Sequence, residues 1–275
     1  MLRVFVDSGS SIKEEEKEKY QVEILPIRYS FGDQEYQDGI DLTIDEFYDI
    51  LIKEKQFPKT SLPYLGELEE QVDKYVEQGD EVLIITISSG ISGTNSAISS
   101  MLKDKPGVAV VDSLTAVGGI RILVEEVNKH RDEGLSKVVE RLNNLIPRIK
   151  VMAVPETLNY LHKGGRLSKA EWLIGSVLNI KPIISFIKGK VSVVSKKIGI
   201  KSAMKYVANA LNLFKCDKNH PIVPSYTFNK NNLDELISIT DEKHRSQMTC
   251  YDNLDPAIAC HWGPNAYGYI FVSEN

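Results

Sequence analysis

Hydrophobic and polar positions fall into two regimes along this chain. Short runs dense in Val and Ile with little alternation, at 3–7, 23–30, 81–87 and 108–112, predict strands buried on both faces, as in parallel sheets. Between them, apolar residues recur at three- and four-residue spacing. Thr43-Ile-Asp-Glu46 is a capping box that opens a helix running to about residue 54, and 65–78 is helical until Gly79 ends it. A further helix follows Gly93, and one more runs from near Ala116 to about Arg131. Strands separated by helices of this length imply βαβ units and a three-layer α/β domain with a mainly parallel sheet.

A domain boundary is expected near residue 150, after a helix over 136–145 and Pro147, dividing the chain into 1–150 and 151–275. The second half opens with a strand at 150–155 and a glycine loop, Lys163-Gly164-Gly165-Arg166. A second capping box, Ser168 to Glu171, starts a helix to about 178 with Leu173, Ile174, Val177 and Leu178 on one apolar face. Runs at 183–187 and 191–195 flank Lys188-Gly189-Lys190 and predict a β-hairpin. A helix over 201–213, a strand over 221–227, a helix over 233–245 and closing strands at 257–261 and 267–272 complete a mixed α/β half. No long Gly/Ser/Pro linker separates the halves, so tight packing is expected.

The 275 residues are 42% hydrophobic and 26% charged, a mix that supplies a core and excludes a disordered or fibrous chain. The formal net charge of −5 argues against a nucleic-acid partner. No apolar run approaches the roughly 20 residues that span a bilayer, and the opening residues do not form a signal peptide's apolar stretch. Cys216, Cys250 and Cys260 form no CxxC pair and are odd in number, which fits free, buried thiols in a reducing cytoplasm. The mean charge hides an asymmetry. Between His162 and Lys205 stand Lys163, Arg166, Lys169, Lys181, Lys188, Lys190, Lys196, Lys197, Lys201 and Lys205 against Glu171 alone, a net of +9 that leaves −14 for the rest. Such a stretch either meets an anionic partner, whether protein, phosphate or membrane surface, or is a set of solvated lysines at turns and strand ends.

Three expected strands run into hydroxyls and glycines: Asp7 into Ser8-Gly9-Ser10-Ser11, Ile87 into Ser88-Ser89-Gly90-Ile91-Ser92-Gly93-Thr94, and Asp112 into Ser113-Leu-Thr115. In open α/β sheets ligands bind beyond the carboxyl ends of the strands. Hydroxyls there, ahead of helix N-termini, suit an anion, although each also serves as an ordinary cap. The chain has neither a P-loop nor a dinucleotide fingerprint, and the 88–94 loop has no cation, so a compact charge such as a carboxylate fits better than a polyphosphate. Thr60-Ser61-Leu62-Pro63 is expected in a turn between helices, and His261 at the end of the 257–261 strand, where it either meets an anion or is a buried structural histidine. No His, Cys, Asp or Glu spacing suits a metal. Ser92, His261 and Asp7 or Asp112 have the residue types of a hydrolytic triad acting on a small acid or acyl ester, but the sequence around Ser92 is not a G-x-S-x-G elbow.

Eight motifs in order make the chain resemble the DegV family of bacterial lipid-binding proteins. They are Val6-Asp7-Ser8, Tyr36-Gln-Asp38-Gly39-Ile-Asp41, Thr60-Ser61-Leu62-Pro63, Ser88 through Thr94, Val111-Asp112-Ser113, Tyr160 through Ser168, Leu178-Asn179-Ile180-Lys181-Pro182 and His261-Trp262-Gly263-Pro264. The resemblance implies two α/β domains with a long-chain fatty acid in a tunnel between them and no other cofactor. It implies a carboxylate held by Thr60 and Ser92 with His261 nearby, and Ser61, Ser88, Ser89, Gly90, Gly93 and Arg166 around it. It also implies a non-catalytic protein that can present the lipid to a kinase subunit for acyl-phosphate formation, with transient membrane contact. Two departures stand out. Ile198-Gly199-Ile200 replaces a common Arg-Gly-Arg, which bears on kinase docking, and Trp262 replaces a smaller residue, which bears on the length or mouth of the tunnel.

Overall fold

The computed structural model describes residues 1–53, 57–175, 179–248 and 251–274. Strand β1 (Leu2–Asp7) leads through a short helix, α1 (Lys17–Tyr20), to β2 (Glu23–Leu25), which pairs with it in parallel. Pro26 then ends the run, because it has no N–H to give to a ladder. The chain leaves the sheet, and β3 (Arg28–Phe31) builds a second, antiparallel one with β4 (Gln34–Gln37) and, after helix α2 (Ile44–Lys53), β5 (Lys59–Ser61). The capping box at the start of α2 forms as expected: Glu46 N–H donates to Thr43 Oγ1 at 3.3 Å and Thr43 N–H to Glu46 Oε2 at 2.9 Å.

Helix α3 (Leu65–Glu77), strand β6 (Glu81–Thr86), helix α4 (Thr94–Met101) and strand β7 (Val108–Asp112) complete an all-parallel sheet in the order β2-β1-β6-β7. Helices α5 (Gly118–His130) and α6 (Leu135–Leu145) follow. The face of α5 that carries Ile120, Leu123 and Val124 joins one apolar cluster with Val6, Leu83 and Ile85 of the parallel sheet and Val151 and Ile270 of the later one. That cluster welds the first half of the chain to the second. Arg121 lies in the same seam, 2% exposed, with Glu16 at 2.8 Å on one side and Asp252 at 3.0 Å on the other.

The second half begins with β8 (Ile149–Val154), α7 (Asn159–Lys163) and α8 (Lys169–Gly175). The antiparallel pair β9 (Ile180–Ile187) and β10 (Lys190–Ile198) is the expected hairpin, closed by Lys188 and Gly189 at φ of 50° and 78°, the left-handed pair that a two-residue turn requires. Then come α9 (Ile200–Leu213), β11 (Val223–Tyr226), α10 (Asn231–Ser238), α11 (Glu242–Arg245), β12 (Asp252–Asn253), α12 (Pro256–Trp262) and β13 (Tyr267–Val272). The order β10-β9-β8-β13-β11-β12 makes a mixed sheet, parallel only between β11 and β12.

The two-regime pattern therefore yields a mixed α/β fold with one parallel and one mixed sheet. Several boundaries differ from the expectation. The 23–30 run is two strands in two sheets, and β4, which the apolar pattern does not mark, pairs with β3. Thr60 and Ser61 lie in β5 rather than a turn. The expected 233–245 helix is two, parted by Thr240, whose hydroxyl donates to Leu236 O at 2.9 Å, and by Asp241, whose backbone is extended. Residues 257–261 are helical, not a strand. Pro256 opens that helix and Gly263 at φ 69° ends it, a punctuation that outweighs a five-residue apolar run equally readable as strand. The expected ends of the helices at 54 and 178, and Cys250, lie outside the described residues.

Candidate functional site

The loops at the carboxyl ends of β1, β6 and β7 do not act alike. Asp7, closing β1, accepts the N–H groups of Gly9 at 3.1 Å and Ile87 at 2.7 Å and is wholly buried, which pushes its carboxyl up to about 7. Asp112 accepts from Ser89 N–H at 3.0 Å and Leu114 N–H at 3.1 Å. Both aspartates brace the loops, Asp7 with both of its oxygens and Asp112 with Oδ1, and neither is hydrogen-bonded to Ser92 or His261. Ser88 is buried, and its hydroxyl donates to Gly189 O at 2.7 Å, tying the β9–β10 turn onto the loop. Gly90 is required by the same closure: a Cβ there would stand 2.3 Å from Gly189 O.

Beyond this brace lies a cavity of about 150 Å³. Its polar wall is Thr60 and Ser61 from β5, Ser92 and Gly93 at the start of α4, Arg166 from the glycine loop and His261 from α12. The rest of the wall is almost entirely apolar: Ile27, Leu62, Ile87, Ile91, Ala116, Leu161, Val191, Ala257, Ile258 and Trp262. Ser89 and Gly90 line a separate outer depression that shares Ile91, Ser92, Gly93 and Arg166 with the cavity. The structure thus brings Thr60, Ser61, Ser92, Gly93, Arg166 and His261 together. Ser88 serves as a fastener, and Ser89 and Gly90 stand at the mouth.

At the polar end, Thr60 Oγ1 and His261 Nε2 share a hydrogen bond of 2.9 Å. Burial, and then the charge of Arg166, push the His261 imidazole down to about 3, so the ring is neutral in ordinary conditions. Its Nδ1 is buried without a partner, against Gly164, where a Cβ would stand 2.3 Å away. Only glycine admits the ring here. Ser92 Oγ lies 2.9 Å from Thr94 Oγ1 and accepts Thr94 N–H at 3.3 Å, so it caps α4 while facing the cavity. Arg166 donates through Nε to Ile91 O at 2.8 Å and through Nη1 to Gly164 O at 2.5 Å, and it joins no ion pair among the described residues. Its charge faces an apolar chamber without a counter-ion, and burial lowers its affinity for the proton.

Two buried aspartates place the helix that carries His261. Asp38 accepts Ala257 N–H at 3.1 Å at the start of α12, and Asp255, at the N-cap, is ion-paired with Lys13. The apolar side of α12 packs Ala259 and Cys260 against Tyr29, Phe31 and Phe47 from β3 and α2. Among the described residues there is no Ser-His-Asp line: His261 bonds Thr60 rather than Ser92, and no carboxylate meets its second nitrogen. Among the described residues no group of His, Cys, Asp and Glu side chains is placed to hold a metal, and no helix is long and apolar enough to cross a membrane. The apolar wall was invisible to sequence reasoning, because Ile27, Ile87 and Leu161 read as ordinary core. The one usable signal was Trp262 beside His261.

Known proteins resemble the chain along its whole described length. A family model described as "Uncharacterised protein, DegV family" matches residues 1–274. A DegV domain-containing protein of Caldanaerobacter subterraneus subsp. tengcongensis is 30% identical, over 99% of each chain. Among solved structures, a fatty acid binding DegV family protein from Streptococcus agalactiae aligns with a TM-score of 0.89 at 26% identity, covering 100% of this chain and 99% of its own. A stearic acid-binding protein from Eubacterium ventriosum aligns with a TM-score of 0.86 at 25% identity, over 99% of this chain and 98% of its own. With its whole described length matched and its site motifs gathered at one cavity, the chain belongs to the DegV family.

Proposed function

We propose that the protein binds a long-chain fatty acid in this cavity, carboxylate at the polar end and tail along the apolar wall, without catalysing a reaction of its own. The observation that carries the reading is Arg166: a half-buried cation with no counter-ion among the described residues, beside a neutral His261–Thr60 pair and the Ser92 hydroxyl, at one end of an apolar chamber. A carboxylate supplies the missing charge and accepts from hydroxyls, and a tail gains about 0.8 kcal/mol for each methylene it buries. The solved relatives that bind fatty acids support the same ligand. Thr60, Ser92, His261 and Arg166 touch the head group in this reading, with Ser61 and Gly93 flanking it. Ser88, Ser89 and Gly90 shape the loop.

The reading extends to organisation. Residues 1–150 and 151–275 form two domains with the ligand between them, supported by the parallel sheet lying within residues 2–112 and the mixed sheet within 149–272. The protein works in the cytoplasm, with Cys216 and Cys260 as buried free thiols. It presents the carboxylate to a kinase subunit for acyl-phosphate formation. Exposed Ile198 stands where an arginine contact would be expected, so the neighbouring lysines carry that docking. A hydrolytic role finds no support in the Ser92–His261 geometry.

Native mass spectrometry of the purified protein should show a co-purifying acid of fixed mass. The double variant Thr60→Ala, Ser92→Ala should weaken fatty-acid binding by at least tenfold, since each hydrogen bond to a charged head contributes about 1.5–3 kcal/mol. Unchanged affinity in that variant would remove both residues from the site.

A further inference from the structure

Behind the cavity lies a second, smaller void of about 20 Å³, lined by Val117, Val151, Ala153, Ala266 and Ile270 among others. Trp262 lines both spaces. It is the last residue of α12, 9% exposed, one position after His261. The backbone beside it is held firmly: Gly263 N–H donates to Ala259 O at 2.8 Å, and Gly263 O accepts the Thr227 hydroxyl at 2.8 Å. The indole is held differently. Its N–H makes no hydrogen bond among the described residues, in contrast to the Trp172 N–H, which donates to Asn159 Oδ1 at 2.8 Å. Packing alone keeps the Trp262 ring between the two spaces.

We propose that Trp262 is the partition that sets the acyl-chain length this protein accepts, closing the head-group cavity off from the apolar void behind it. The inference rests on the fatty-acid reading above and names the residue that bounds its tail. A chain that fits in front of the indole binds with the ring in place. A longer one must displace the ring, at the cost of its packing, before the tail reaches the walls of Val151, Ala153 and Ile270. The backbone anchor confines that displacement to the side chain, so His261 and the polar end stay where they are. The wall on the far side of the ring is apolar along Val117, Val151 and Ile270, with the unpartnered Ser225 hydroxyl a buried polar exception, so a tail that reaches it meets mostly hydrocarbon.

The test uses the delipidated full-length protein and a series of saturated acids from decanoic to eicosanoic. Affinity of the unmodified protein should rise about fourfold per added methylene, the equivalent of burying one CH₂, and then stop rising at a limiting length. In Trp262→Ala the limit should move up by at least two carbons, and in Trp262→Phe by a smaller step. In a Trp172→Phe background Trp262 is the sole tryptophan, so acids beyond the limit should shift its emission further than the shorter acids do, with a step at the limiting length; this arm keeps the native indole if the alanine variant does not fold. An identical limit in the Trp262 variants, or an emission insensitive to chain length, overturns the partition while leaving fatty-acid binding intact. Failure of the unmodified protein to bind any acid in the series overturns the fatty-acid reading, and the partition with it.

Discussion

His261 shows how one residue's surroundings decide its chemistry. Burial and the nearby Arg166 charge hold its imidazole down to about 3, far below the ordinary value of about 6.5 for an exposed histidine. The ring therefore meets the ligand as a neutral partner, its Nε2 already engaged by Thr60. The unfolded chain takes up this proton near pH 6.5 and the folded chain only near 3, so the contribution of His261 to stability is complete above 6.5 and is lost as pH falls between the two. Its share of the slope is at most about 1.4 kcal/mol per pH unit. His261→Asn should remove that share when denaturation is compared across pH 4–7, and the His261 Cε1 proton should show no titration in NMR between pH 5 and 8. A ring that titrates near 6.5 would mean that it is solvated and not part of a closed site. The sequence could place a histidine beside a tryptophan and a glycine here. It could not show the ring wedged against Gly164, because that contact joins residues nearly a hundred positions apart.

At the scale of elements, what local chemistry specifies was readable and what distant pairing specifies was not. The Thr43–Glu46 capping box forms in full, and at Ser168–Glu171 the Ser168 hydroxyl accepts the Glu171 N–H and donates to its carboxylate, since each needs only a four-residue pattern. The β9–β10 hairpin was visible in Lys188-Gly189-Lys190 for the same reason. Helix α12 is not legible in the sequence because Ala-Ile-Ala-Cys-His is too short to show a period, and what fixes it is Asp38, more than two hundred residues away, accepting Ala257 N–H. The 88–94 loop joins both kinds of information: its glycines signal close backbone approach, but only the fold shows that Gly90 meets the hairpin turn while Gly93 does not. A Cβ on Gly90 would stand 2.3 Å from Gly189 O, a backbone atom with nowhere to go, whereas one on Gly93 would lie 3.7 Å from Leu62 Cδ2, an ordinary contact. Gly90→Ala should cost about 1–3 kcal/mol of stability by overpacking and weaken ligand binding together with it. Gly93→Ala should cost less than about 1 kcal/mol. Urea melts paired with fatty-acid titrations decide this, and equal losses in the two variants would show that the hairpin turn is not seated on the loop.

Across the whole molecule, the charge asymmetry becomes a matter of geometry. None of the ten cations between Lys163 and Lys205 joins an ion pair among the described residues, although the chain as a whole is acidic. Lys181 and Lys197 stand directly opposite each other in the β9–β10 ladder, a like-charge pairing that a sheet tolerates only at some cost. Lys197 lies over the Tyr206 ring at 4.5 Å, and Lys196 and Lys201 are exposed on either side. Beside them Val194 and Ile198 are exposed on the same edge strand, Ile198 at 76%. A cationic edge whose one nearby acid, Glu171, is taken up by the Val193 N–H at 3.2 Å is what an anionic partner would need, and part of the linear cluster thus survives as neighbours in space: Lys181, Lys196, Lys197 and Lys201 gather at one end of the hairpin, while Lys188 and Lys190 lie at its turn. Attraction of this kind acts over a screening length of about 8 Å at physiological salt, so it speeds encounter and fades as salt rises. The variant Lys196→Glu, Lys197→Glu, Lys201→Glu should therefore slow association with vesicles rich in phosphatidylglycerol by at least tenfold at low salt, leave neutral vesicles indifferent, and leave the affinity for free fatty acid within about twofold, because none of the three lines the cavity. Stopped-flow association from low to high salt reads both effects at once. A rate that responds to neither salt nor charge reversal would mean that these lysines are solvated surface and that the partner, if anionic, docks elsewhere.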